Sequence, residues 1–68
     1  MLTFPTLAEQ AVAEFHNATH TVSLATIAKR MGAMKYFEYP TTTYVFDDDT
    51  SIEVSGRGPN HKIETFLP

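Results

Sequence analysis

The chain contains no cysteine. No disulfide framework can staple it, so a small secreted scaffold is disfavoured and a reducing compartment is allowed. The opening Met-Leu-Thr-Phe-Pro lacks the basic and apolar regions of a signal peptide, and no apolar run approaches membrane-spanning length. These absences describe a soluble, cytoplasmic chain with no membrane partner. The excess of acidic over basic residues is small: a formal net charge of -3 makes the chain neither a basic nucleic-acid binder by composition nor an acidic DNA mimic. The apolar fraction of 43% is ordinary for a globular domain, which argues against wholesale disorder. Within 68 residues there is room for one domain, spanning 1–68, with one small core.

Periodicity supplies the elements. From Leu7 to about Asn17, the apolar residues Leu7, Ala8, Ala11, Val12, Phe15 and Ala18 recur at three- and four-residue spacing and form one helical stripe. Thr6 followed by Glu9 fits a capping box at its start. A second helix is signed at both ends. Ser23 is its N-cap, Leu24, Ile27, Ala28 and Met31 share a face, Lys29 and Arg30 meet the negative end of the helix dipole, and Gly32 closes it. Met34 to Tyr39 is read as extended, with Pro40 restricting Tyr39.

Thr41 to Ser55 reads as a β-hairpin. A three-residue loop of Asp47, Asp48 and Asp49 pairs Phe46 with Thr50 and Tyr44 with Ile52, and puts Asp49 in the left-handed position that glycine fills at less strain. After the turn Gly56-Arg57-Gly58-Pro59-Asn60, alternation returns from His61 to Leu67, with Ile63, Thr65 and Leu67 on one side. The expected fold is α+β: two N-terminal helices packed on one face of a three-stranded antiparallel meander, four-stranded if Met34 to Tyr39 pairs.

Chemistry-bearing motifs are few. No nucleophile, base and orienting group can be assembled, so no catalytic residue and no cofactor is assigned, and the chain is not read as an enzyme. His16 and His20 have helical zinc-ligand spacing, with His61 as a third ligand, but the accompanying glutamate is missing and the helix ends near His20; no metal is assigned. Asp47, Asp48 and Asp49 lack the spacing, glycine and terminal glutamate of a calcium loop. They read as a solvated turn, with a cation site or an acidic contact for a basic partner as the alternatives. Gly56 and Gly58 are followed by Pro59 and a strand, not by the helix a phosphate-binding loop needs. Asn17-Ala18-Thr19 matches a glycosylation pattern that needs secretion to matter.

Two features point to macromolecules. Ser23 to Gly32 resembles the first helix and glycine turn of a helix-turn-helix unit, and the later hairpin could serve as a wing. The Lys35-Tyr36-Phe37-Glu38-Tyr39-Pro40 segment is too aromatic, and too soon broken by proline, for a recognition helix. Lys29, Arg30, Lys35 and Arg57, interleaved with Tyr36, Phe37 and Tyr39, could instead hold a single strand by charge and stacking. The bland alternative is that the two helix-end cations serve their helix and the aromatics fill the core.

Tyr44 through Ile52, Ser55-Gly56-Arg57-Gly58 and His61-Lys62 together resemble a hairpin pattern in short accessory proteins encoded by bacteriophages, with Asp49 departing from the glycine such hairpins prefer. The resemblance implies a small non-enzymatic protein that binds and inhibits or redirects a host protein. The residues agree with a protein-binding module, since the chain has more aromatics than so small a core can cover. Tyr36, Phe37 and Tyr39, with Lys35 and Arg57, are the expected contacts for a cellular protein or for a second copy in a homo-oligomer. Nucleic-acid binding through the second helix and the hairpin is the alternative.

Overall fold

A computed structural model describes residues 2–18, 22–56 and 61–68. The capping box forms as the sequence predicts: the Thr6 hydroxyl oxygen accepts from the Glu9 N–H at 3.2 Å, and Glu9 Oε1 accepts from the Thr6 N–H at 2.9 Å. Helix α1 then runs over Leu7–Asn17. Ala8 and Ala11 are fully buried, and Leu7, Val12 and Phe15 pack at the margin of the core. Ala18 departs from the expected stripe. It is the extended, exposed C-cap residue, because the helix has already ended.

Helix α2 occupies Leu24–Arg30, and the Ser23 hydroxyl oxygen accepts from the Thr26 N–H at 3.1 Å. It closes in a Schellman motif. The Gly32 N–H reaches the Lys29 carbonyl at 3.0 Å and the Ala33 N–H reaches the Ala28 carbonyl at 2.9 Å, which requires the left-handed φ of 85° at Gly32.

The sheet has four antiparallel strands in sequence order: β1 (Met34–Glu38), β2 (Thr41–Val45), β3 (Ser51–Ser55) and β4 (Lys62–Phe66). The segment read as extended is therefore a paired strand, and the α+β meander is four-stranded. Tyr39 and Pro40 form the turn between β1 and β2, with a cis peptide bond between them. The next hairpin has the expected register. Tyr44 pairs with Ile52, the Phe46 N–H donates to the Thr50 carbonyl at 2.9 Å, and the Asp49 N–H donates to the Phe46 carbonyl at 2.9 Å.

Asp49 holds the left-handed position, at φ 66°. Asp49→Gly should relieve that backbone strain and stabilise the domain by about 0.5–1 kcal/mol in urea melts, despite the added unfolded-state entropy. A lower midpoint for this variant would contradict the assignment.

Alternation sorts the sheet into two faces. Lys35, Tyr44, Ile52 and Thr65 form one row on the helix side, and Phe37, Thr42, Val54 and Ile63 form the next. Leu24, Ile27 and Ala28 of α2 and the alanines of α1 join Tyr44, Phe46 and Ile52 in the core, while Val54 and Ile63 pack at its edge. Leu67 does not belong to this face. Strand β4 ends at Phe66, and Leu67 beyond it is exposed.

Candidate functional site

Every residue of β1 is exposed. The pattern is unusual for a strand so rich in apolar side chains: Met34 is 61%, Tyr36 55% and Phe37 65% exposed, and Tyr39 in the following turn reaches 69%. The physical cause is position. The strand is an edge of the sheet, and the helices cover the row holding Tyr44 and Ile52 without extending over Phe37.

Tyr36 and Phe37 lie on opposite faces of the sheet, as consecutive strand residues must. Met34 and Tyr36 share the face without helices; Lys35 and Phe37 share the helix side. The β1–β2 turn brings the two together. A hollow on one side of it is lined by Tyr36, Glu38 and Thr43, another on the other by Thr42, Val54 and Gly56, and Phe37, Tyr39 and Pro40 border both. The aromatics therefore wrap one corner of the molecule and are not its core, which uses Tyr44 and Phe46 instead. Pro40 also belongs to this corner, a residue that local spacing does not mark as a contact, whereas Met34 stands at the other end of β1, opposite Val45. The available signal was the edge position of a strand followed by proline.

The basic residues divide. Lys29 and Lys35 line a hollow between α2 and β1 together with Tyr44, whose hydroxyl pKa is raised by burial. Arg30 pairs with Glu14 of α1 at 3.1 Å, an exposed contact between the helices. Arg57 lies outside the described residues, as do His20, Thr19 and the Gly58-Pro59-Asn60 part of the turn. Among the described residues no group of three or more His, Cys, Asp or Glu is placed to hold a metal ion, and no helix is long and apolar enough to cross a membrane. Helix α2 is followed by β1, so the helix-turn-helix resemblance stops at its glycine turn. A strand stands where a recognition helix would be required.

The acidic hairpin tip is not simply a solvated turn. Asp48 Oδ2 accepts from the Leu7 N–H at 2.9 Å, and the Thr50 hydroxyl oxygen accepts from the Ala8 N–H at 3.2 Å. With the Thr6–Glu9 box, these contacts satisfy the free donors of the first turn of α1. Asp48 Oδ1 in turn accepts from the Thr50 N–H at 3.0 Å and from the Thr50 hydroxyl. Partial desolvation pulls the Asp48 pKa upward, but the hydrogen bonds from Leu7 and Thr50 outweigh it and hold the carboxyl below the ordinary aspartate value. Asp47 and Asp49 remain exposed. The contact that makes Asp48 a cap for α1 spans 41 residues of chain, which is why local spacing could not identify it. Comparison with family models, with curated proteins and with solved structures found no match for this chain.

Proposed function

We propose that this chain is a small non-enzymatic protein-binding module, an inhibitor or adaptor acting on a cytoplasmic protein, that docks through β1 and the β1–β2 turn. One observation carries the reading: Tyr36, Phe37 and Tyr39 stand exposed around one corner while the core is filled without them. Rigid aromatic side chains clustered on a surface are the residue types that anchor protein interfaces. The resemblance of the β2–β3 hairpin to phage accessory proteins supports a host protein as the target.

Nucleic-acid binding is the competing outcome, and it finds less support. Lys35 and Tyr36 point to opposite faces, Arg30 is engaged with Glu14, and the hairpin tip that would act as a wing is acidic and tied to α1. Affinity purification of tagged protein from its native cell, with nuclease-treated controls and mass spectrometry, separates the two. A stoichiometric, nuclease-resistant protein partner is expected. Loss of all retained material on nuclease treatment would replace this reading with the nucleic-acid one.

A further inference from the structure

The two outer strands of the sheet differ in what they offer a partner. The Phe46 N–H donates to Thr50, so Phe46, Tyr44 and Thr42 direct their backbone groups toward β3. Thr41, Thr43 and Val45 then face β1, where they pair with Glu38, Tyr36 and Met34. The backbone N–H and C=O groups of Lys35 and Phe37 are left pointing to the open edge. By the same alternation Ile63 and Thr65 point outward from β4.

Self-pairing of these edges has different consequences. An antiparallel pair of β4 strands in full overlap sets Glu64 directly opposite Glu64 of the other copy, a like-charge contact that destabilises the ladder. An antiparallel pair of β1 strands in full overlap sets Tyr36 opposite Tyr36, Lys35 opposite Phe37 and Met34 opposite Glu38. No like charges meet. Sliding one way by one hydrogen-bonding step would bring Lys35 against Lys35, and sliding the other way would carry the pairing into the Tyr39–Pro40 turn.

We propose that β1 pairs with β1 of a second copy of this chain across a two-fold axis through Tyr36, joining two sheets into one continuous sheet. Each Lys35 exchanges backbone hydrogen bonds with Phe37 of the other copy. Tyr36 falls at the non-hydrogen-bonded position, where facing side chains approach most closely. A lysine on an edge strand ordinarily discourages pairing, but in this register its ammonium lies beside the Phe37 ring of the second copy, a cation–π arrangement. The contact is isologous and closes on itself, so it yields a dimer and not a filament. The inference rests on reading the β1 corner as a protein-binding surface; it assigns the strand edge to a second copy and leaves the β1–β2 turn to the cytoplasmic target.

Analytical ultracentrifugation of the full chain, with Tyr36→Lys and Tyr36→Glu variants, tests both the pairing and its register. The parent mass should rise from 7.6 kDa toward twice that value with concentration. Each variant alone should stay monomeric, because position 36 opposes itself, and an equimolar mixture of the two should recover the dimer. In the parent, the Lys35 and Phe37 amides should gain hydrogen-exchange protection as concentration rises, a readout independent of any variant. A parent that stays monomeric up to about 1 mM, or a mixture that does not pair while the parent does, overturns the proposal. A monomeric parent that still captures a nuclease-resistant protein overturns the pairing and leaves the protein-binding reading standing.

Discussion

A chain ending at Asn60 should lose its cooperative unfolding transition. Strand β4 contributes the whole ladder from Ser51–Phe66 to Ser55–Lys62 and brings Ile63 against the core margin. Without it β3 becomes an edge strand, Ile52 and Val54 lose their neighbour, and α1 loses the strand it touches at that side. A domain of this size has a net stability of only about 3–5 kcal/mol, and burial of one aliphatic side chain supplies about 1.5–3 kcal/mol. Removing a strand therefore removes most of the margin. Circular dichroism melts of the shortened and full chains would show it, and a shortened chain that melts as sharply and as late as the parent would contradict the four-stranded core.

The second large effect belongs to Thr50. Its side chain is fully buried, and its hydroxyl accepts from the Ala8 N–H while donating to Asp48. Thr50→Val keeps the shape but leaves a buried helix N–H without a partner, which should cost about 1–3 kcal/mol in urea melts. Thr43→Val, on the face without helices, is the matched control and should change stability by less than about 0.5 kcal/mol. An equal response from the two variants would mean that the hairpin tip does not cap α1.

Acid provides an independent check of the same contact. The Asp48 pKa is lower in the folded chain than in the unfolded one, so its contribution is complete above the unfolded value and disappears as pH falls through the folded value. Asp48→Asn should therefore lower the urea midpoint near neutral pH. Its deficit against the parent should shrink in the acid range below the ordinary aspartate value. A deficit that stays constant through that range would remove the carboxylate from the cap.

Local rules carried most of the fold because most of its elements are locally consistent. The Thr6–Glu9 box, the Ser23 cap, the Gly32 closure and the left-handed Asp49 each need only a few neighbouring residues to specify them. Failures came where the deciding contact is distant. Nothing local marks Asp48 as a cap for α1 until Leu7 is placed beside it, and Leu67 continues an alternating pattern after its strand has ended. The site was legible in part. Tyr36, Phe37 and Tyr39 are exposed, but strand alternation puts the first two on opposite faces, and composition could not say that the β1–β2 turn that follows gathers them at one corner.

The central claim is that the β1 corner is a contact surface and not core. Alanine replacements of Tyr36, Phe37 and Tyr39, each followed by urea melting in dilute solution and by calorimetric titration of the purified partner, test it most directly. The account predicts unfolding free energies within about 0.5 kcal/mol of the parent and, for at least one variant, binding weakened by about 2 kcal/mol or more. Destabilisation by about 3–5 kcal/mol in all three, as for core aromatics, or unchanged affinity in all three, would contradict it.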